Sequence, residues 1–174
     1  MKKISLLVTA LALAGASGAA LAENVSMSFL SADGVGKSAG TISLKDTKGG
    51  LQFTPNLKGL PPGEHGFHVH EKGSCAPGMV NNQMAPGGAA GGHFDPKDTK
   101  AHKGPLATDG HQGDLPFIVV AADGTAKKAV VAPHLKLADV KGRALMVHVG
   151  GDNYSDTPAP LGGGGGRLVC GVVK

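Results

Sequence analysis

Short runs in which apolar and polar residues alternate recur along the chain, and turn-forming residues separate them. In the first run, Val25, Met27 and Phe29 alternate with serines. An alternation with a period of two places the apolar side chains on one face of a β-strand. Eight such strands are predicted, within residues 25–29, 42–44, 51–53, 67–69, 114–120, 129–132, 144–149 and 167–173.

Many short strands with few helical patterns predict an all-β sandwich or flattened barrel. Glycine and proline punctuate the chain, with 29 glycines among 174 residues. ADG at 122–124 predicts a hairpin turn, and LADVKG at 137–142 predicts one helical turn. Two segments, residues 71–113 and 150–166, are too long to be plain connections, so we expect two functional loops.

The N-terminal residues follow a different pattern. Two lysines precede a short apolar run, and ALA at 20–22 fits the small-residue rule for signal cleavage. We predict a signal peptide over residues 1–22, cleaved after Ala22, and one domain over residues 23–174. A membrane anchor is the alternative, but the run is short and rich in Ala and Gly. The short leader is typical of bacteria and predicts a periplasmic protein with no membrane attachment after cleavage.

Composition narrows the possible partners. The formal charge of +4 at pH 7 falls to +2 without the two leader lysines, which is too small and scattered for a nucleic-acid footprint. The chain has no Trp and one Tyr, so base-stacking platforms are also lacking. The even cysteine count, Cys75 and Cys170, predicts a disulfide in an exported chain, with two free buried thiols as the alternative. GGGGG at 162–166 predicts a turn that passes close to another group rather than a floppy linker.

Histidines are concentrated in HGFHVH at 65–70. On a strand, His68 and His70 share the face opposite the apolar residues, where they can give two ligands to one metal. Two solvated histidines are the alternative. His65 has the parity of the apolar residues, so we expect it to be an inward, hydrogen-bonded structural residue.

Further candidate ligands follow in the first long loop. Three imidazoles and one carboxylate make a four-ligand set that suits tetrahedral zinc: His93, His102, His111 and Asp114. Scattered loop histidines are the alternative. On the strand 144–149, His148 shares a face with Met146, and the opposite, core-facing side carries Leu145, Val147 and Val149. His134 has no evident partner and is predicted to lie at the surface.

Together these motifs resemble one family. HGFHVHE, GGHFDP, HQGDLP, MVHVGGD and GGGGGRLVCGVV are similar, in order and over essentially the whole mature chain, to the copper,zinc superoxide dismutases, in particular their bacterial periplasmic branch. The resemblance implies an eight-stranded Greek-key β-sandwich. It also implies a copper- and zinc-dependent oxidoreductase that converts superoxide to dioxygen and hydrogen peroxide.

The resemblance also implies a role for each site residue. Copper would be held by His68, His70, His93 and His148. Zinc would be held by His93, His102, His111 and Asp114, so that His93 bridges the two metals. Arg167 would dock superoxide beside copper, His93 would also supply a proton, and Asp152 would link the two sites from behind. The family disulfide matches Cys75 and Cys170.

Some features depart from the family pattern. The segments around Cys75 and from His93 to His111 differ in length from the eukaryotic ones, and the loop 150–166 is shorter and poor in Lys and Glu. These departures leave open the steering route of superoxide and whether the protein is a monomer or a homodimer. A non-catalytic periplasmic metal carrier or a zinc hydrolase are the alternative functions. Neither explains two donor sets together with an arginine.

Overall fold

The computed structural model describes residues 22–174. The predicted signal peptide therefore lies, apart from Ala22, outside the described residues. No helix in the described part of the chain is long and apolar enough to cross a membrane.

Strands make up most of the regular structure. They are β1 (Glu23–Ser31), β2 (Gly34–Thr47), β3 (Gly50–Leu57), β4 (Gly63–His65), β5 (Phe67–His70), β6 (Gly78–Val80), β7 (Gln83–Ala85), β8 (Ile118–Val120), β9 (Val130–Ala132), β10 (Ala144–His148) and β11 (Arg167–Val172). Within residues 22–174, helical structure is limited to one turn, α1 (Leu137–Val140), and two 3₁₀ turns, Gly88–Ala90 and Leu161–Gly163.

Seven strands form one curled antiparallel sheet in the order β5-β10-β11-β1-β2-β3-β9. Strands β4 and β8 pair separately, and β6 and β7 form a hairpin. The predicted all-β class is confirmed. The strand count is not eight, because β4 precedes the histidine-rich strand and the hairpin lies inside a segment that was predicted to be a loop.

The core is built mainly from the alternating apolar residues of the strands. Phe53 and Phe67 meet edge to face, with ring centroids 5.4 Å apart. The prediction that Val149 faces the core is wrong, since its exposed fraction is 54%. β10 ends at His148 and its register shifts there, so the strand alternation does not extend to the next residue.

The turn at 122–124 exists, since the Gly124 amide donates to the Ala121 carbonyl oxygen. The Ala121 amide also donates to the Thr125 carbonyl oxygen at 2.8 Å, so the chain reverses as in a hairpin turn. The flanking strands do not pair with each other, because β8 pairs with β4 and β9 pairs with β3. Propensity identified the turn correctly, but it carries no information about which strands pair. The helical turn predicted within residues 137–142 is present as α1.

The disulfide predicted between Cys75 and Cys170 is present, with Cα atoms 5.8 Å apart. Cys170 lies on β11, which is a central strand of the sheet. The bridge therefore fastens the start of the first long loop to the sheet, close to the strands that carry the candidate ligands.

Candidate metal centre

Two adjacent strands carry three of the candidate ligands. β5 holds His68 and His70, and β10, its hydrogen-bonded neighbour, ends at His148. All three rings are buried, with at most 6% of each residue exposed. Their positions follow from strand register alone.

Backbone carbonyls fix two of these rings. His70 Nδ1 donates to the Gly91 carbonyl oxygen at 3.0 Å, and His148 Nδ1 donates to that of Gly165 at 3.2 Å. A neutral imidazole that donates through Nδ1 keeps a free lone pair on Nε2. The two Nε2 atoms lie 3.4 Å apart, which is suitable for two ligands of one ion.

The remaining two donors of this set lack partners within the protein. His68 Nε2 contacts Asp152 Oδ2 at 2.7 Å, which leaves His68 Nδ1 buried without a hydrogen bond. His93 Nε2 is buried without a hydrogen bond as well. Buried polar atoms without partners are costly, so these nitrogens fit a metal ion. One donor atom from each of four residues lies within 4.8 Å of the others: His68, His70, His93 and His148.

A second set of donors surrounds Asp114. Its Oδ1 lies 2.9, 3.0 and 3.3 Å from the Nδ1 atoms of His93, His102 and His111. Its Oδ2 accepts the amide hydrogens of Lys103 and Gly104. The carboxylate is thus oriented by the backbone, and the three imidazoles converge on one oxygen. Three nitrogens and one oxygen suit tetrahedral zinc.

A compact grouping within 4.8 Å also contains His68 with His93, His102 and Asp114, in place of His111. His68 cannot complete both sets, since Asp152 occupies one nitrogen and only Nδ1 remains. His111 is partly exposed and its Nδ1 faces Asp114 at 3.3 Å. We therefore place His111, rather than His68, in the second set.

His93 is the residue common to both sets. Its Nδ1 contacts Asp114, while Nε2 belongs to the first set and has no other partner. The backbone fixes its position, because His70 and His93 form an isolated antiparallel bridge and the Phe94 amide donates to the Val69 carbonyl at 2.8 Å. A loop residue is thereby held almost as firmly as a strand residue.

Asp152 connects the two sets from behind. Its Oδ2 contacts His68 Nε2 at 2.7 Å, and its Oδ1 contacts His102 Nε2 at 2.8 Å. Gly162 passes directly over this carboxylate with φ of 72°. A Cβ at this position would collide with Asp152 and lie 2.8 Å from His102 Nε2. The close approach predicted for the glycine run is confirmed at this residue.

Arg167 lines a cavity that opens onto the first set. The cavity has a volume of about 200 Å³, and His70, His93 and His148 also line it. The guanidinium donates to the carbonyl oxygens of Gly87 and Gly91. Gly91 therefore receives hydrogen bonds from both Arg167 and His70, which places a fixed positive charge beside the imidazoles.

The two sets differ in electrostatics. Burial and the neighbouring His93 ring lower the pKa values of His68 and His70 well below the ordinary value. The same two causes lower the pKa of His148 to about 4. The imidazoles of the first set are therefore neutral near pH 7, which is the form that ligates metal.

Around Asp114, the pKa values of two histidines are raised rather than lowered. Burial opposes protonation of His102, but the carboxylates of Asp114 and Asp152 outweigh it and raise the pKa to about 9. The hydrogen bond with Asp114 also raises the pKa of His111. Against its own burial, the three imidazoles hold the pKa of Asp114 far below its usual range. Asp114 is therefore ionised, and its negative charge favours the binding of a divalent cation.

The other two histidines lie outside both sets. His65 is buried, and its ring nitrogens contact the carbonyl oxygens of His148 and Pro61 at 2.7 and 2.8 Å. His134 is exposed and contacts the Leu106 carbonyl oxygen. Both were predicted correctly, as a structural residue and a surface residue.

Sequence reasoning missed Asp156 and Tyr154. Asp156 Oδ2 accepts the His102 amide hydrogen at 2.9 Å, and Oδ1 accepts that of Leu161 at 3.1 Å. The Tyr154 ring stacks on Phe117, and its hydroxyl oxygen accepts the Phe117 amide hydrogen. Asp156 joins the loop 150–166 to the segment that carries the second set, and Tyr154 joins the loop to Phe117, just after that segment. An acidic residue in a loop gives no sequence signal for such a role.

The chain is similar to known proteins over most of its length. The profile of the family described as Copper/zinc superoxide dismutase (SODC) matches residues 38–173. "Superoxide dismutase [Cu-Zn] 2" of Salmonella typhimurium is 56% identical, covering 100% of both chains.

Two solved structures are also similar. The Cu/Zn superoxide dismutase from Brucella abortus is 54% identical, with a TM-score of 0.86 over 88% of this chain and 100% of that one. The monomeric copper, zinc superoxide dismutase from Salmonella enterica is 55% identical, with a TM-score of 0.79 over the same shares.

Proposed function

The chain belongs to the copper/zinc superoxide dismutase family, and we propose that it dismutes superoxide at a copper site joined to a zinc site through His93. Two superoxide anions and two protons give dioxygen and hydrogen peroxide. Copper would be held by His68, His70, His93 and His148. Zinc would be held by His93, His102, His111 and Asp114.

The position of His93 carries this proposal. One ring presents Nδ1 to Asp114, at 2.9 Å, and an unpartnered Nε2 to the first set. A metal carrier has no need for a ring shared by two sites. A zinc hydrolase would instead keep one coordination position open beside a general base.

Copper, when bound, supplies one-electron exchange with superoxide, whereas zinc supplies a positive charge and does not change its oxidation state. The protein residues fix the ligand tautomers. Asp152 holds the proton of His68 on Nε2, and carbonyl oxygens hold those of His70 and His148 on Nδ1. Each ring therefore presents a single, oriented lone pair.

His93 would also hold and release a proton. His93 lines the cavity, and its Nε2 has no hydrogen-bond partner among the described residues. One of the two protons required by hydrogen peroxide would come from this atom, which makes His93 a general acid.

Arg167 would attract and orient the anion. It is a partly buried cation whose guanidinium is held by two backbone carbonyls beside the cavity. A fixed charge at a narrow site raises the encounter rate of an oppositely charged substrate. The planar group also offers paired N–H donors to a small anion.

The substitution His93→Ala tests the shared ligand. We expect both metals to bind more weakly and superoxide decay to fall to the rate of free buffer, measured by metal content and pulse radiolysis. His134→Ala is the matched control, because His134 is exposed and outside both sets. Full zinc content in the His93 variant would refute the bridge. Wild-type decay in that variant would refute the function.

The periplasm remains the proposed location, because the disulfide requires an oxidising compartment and the relatives are bacterial. We also propose that the protein acts as a monomer, since a similar structure from Salmonella enterica is described as monomeric. Fractionation of the native host tests the first point. Sedimentation of the metal-loaded protein tests the second.

A further inference from the structure

The hairpin β6–β7 displays two methionines to solvent. Met79 is 61% exposed and Met84 is 66% exposed. The other methionines among residues 22–174, Met27 and Met146, are fully buried. Methionine is usually an interior residue, so a pair at the surface needs an explanation.

The hairpin geometry brings the two side chains together. Met79 and Met84 are register partners, and Asn81 and Asn82 form the turn with φ of 50° and 64°. In a hairpin with a two-residue turn, the second pair from the turn is the non-hydrogen-bonded one. Its Cα atoms lie about 4.5 Å apart and its side chains share one face. Both thioethers can therefore reach one ion.

The same hairpin forms part of the wall of the proposed copper pocket. Val80 and Asn81 line the cavity of about 200 Å³ together with His70, His93 and His148. Successive residues of a strand point to opposite faces. Met79 and Met84 therefore stand on the outer face of the wall that separates solvent from the imidazoles.

Thioether sulfur is a soft ligand that favours Cu(I), whereas imidazole binds both copper oxidation states. Two thioethers without a third protein ligand make a weak, exchangeable site. We propose that Met79 and Met84 form a docking site for Cu(I), from which the ion passes over the hairpin to His70, His93 and His148. This inference rests on the proposed copper site. The transfer exchanges Cu–S for Cu–N bonds, and copper gains or loses no electron.

Binding of Ag(I), a soft ion that does not change oxidation state here, tests the docking site directly. The protein loaded with zinc at both proposed metal sites, free of reductant and labelled with ¹³C at the methionine methyl groups, would be titrated with Ag(I) and followed by NMR. We expect the signals of Met79 and Met84 to shift together, while those of Met27 and Met146 stay unchanged. Unshifted Met79 and Met84 signals would overturn the proposal.

Copper loading tests the transfer. The double variant Met79→Leu with Met84→Leu keeps the apolar surface and removes the sulfur. Zinc-loaded, copper-free protein would be supplied with Cu(I)–glutathione, and copper content followed after rapid desalting. We expect the variant to load about tenfold more slowly, since it loses the local concentration of ion. Loading from Cu(II)–glycine is the internal control and should not differ between the two proteins.

The alternative for this pair is an apolar contact with a second copy of the chain. In that case the leucine variant would load normally from Cu(I), and only the double variant with Met79→Ala and Met84→Ala would change sedimentation. This result would overturn the docking site. The superoxide decay rate per bound copper is measured separately and should equal the wild-type value in every variant. If the copper-loaded wild-type protein did not accelerate superoxide decay, the proposed function would be wrong, and not the docking site.

Discussion

The two donor sets are built on different kinds of backbone. On what we call the copper side, three of the proposed ligands, His68, His70 and His148, stand on paired strands of the main sheet. On what we call the zinc side, the proposed ligands His102 and His111 lie in irregular chain. A strand ligand is positioned by the sheet, which exists because of its own core and ladder hydrogen bonds. A loop ligand depends on specific contacts, and the ion is one of them.

The contacts on the zinc side are individually identifiable. Asp114 receives two backbone amide hydrogens, and Asp156 receives the His102 amide hydrogen. The electrostatics differ in the same sense: the copper-side rings are kept neutral by burial, and the zinc-side rings are kept near a carboxylate. The copper-side positions are therefore fixed by the sheet itself, whereas the zinc-side positions depend on contacts made by the loops.

Removal of both metals should give the largest loss of stability, and it should affect the two regions unequally. Ligands that bind only the native state stabilise it, so we expect the melting temperature to fall by more than about 10 °C, corresponding to several kcal/mol. Calorimetry measures the fall. Hydrogen exchange should show lost protection in residues 93–114 and retained protection in β5 and β10. An equal loss of hydrogen-exchange protection in both regions would contradict this difference between them.

Asp152→Ala removes the carboxylate that joins His68 to His102. We expect the affinities for copper and for zinc to fall by about 10- to 100-fold each, since partners of ligand imidazoles fix their tautomers. Competition with chelators measures both constants. Asp98→Ala is the control, because Asp98 is an exposed carboxylate paired only with Lys100. Loss of affinity for one metal alone would mean that Asp152 does not couple the regions.

Arg167→Ala should affect only the copper side, and only its rate. We expect both metals and the fold to persist, superoxide decay to slow by about tenfold, and its dependence on salt to flatten. Arg167→Glu should be slower still, and Arg167→Lys should recover part of the loss, because lysine keeps the charge without the planar donor pair.

The measurement for these Arg167 variants is the second-order rate against ionic strength, on protein with verified copper content. The screening length is about 8 Å at physiological ionic strength. Unchanged rates in the Ala and Glu variants would remove Arg167 from the mechanism. Lost copper would make it a structural residue.

Asp156→Ala should give the smallest effect, a loss of zinc affinity without a loss of copper affinity. It removes the acceptor of two amide hydrogens, that of His102 on the zinc side and that of Leu161 within the loop, and it removes no hydrogen bond of His68, His70, His93 or His148. A single hydrogen bond of about 1 kcal/mol corresponds to roughly a fivefold loss of zinc affinity. Asn153→Ala, in the same loop, is the control. An equal loss of copper affinity would contradict the separation.

The difference between the two regions also explains which ligand positions could be predicted from the sequence. Strand parity was sufficient to pair His68 with His70 and to place His148 on the face of its strand opposite the apolar residues. No parity rule relates His102 to His111, which lie in a coil segment, so they were grouped with Asp114 by donor type and by the family resemblance rather than by geometry. Their convergence depends on contacts across long sequence separations, such as that between Asp156 and His102.

The hairpin β6–β7 was missed for a different reason. Asn81 and Asn82 are residues that tolerate positive φ, and they stand between two short runs, which is a recognisable hairpin signal. The length of the surrounding segment favoured a loop and concealed it. The pairing of β8 with β4, in contrast, had no local signal, because strand partners are chosen by the whole sheet.

The carbonyl oxygens of Gly87 and Gly91 hold Arg167, and that of Gly91 also holds His70. A backbone oxygen is encoded by every codon, so no missense change can delete it. Side-chain changes in the hairpin β6–β7 should therefore leave this hold on Arg167 and His70 intact as long as the chain keeps its path, which the Cys75–Cys170 bridge fixes at one end. The path itself requires Gly78, where a Cβ would collide with the backbone of Ala89. Loss of the outer methionines should slow copper loading without displacing Arg167 or His70.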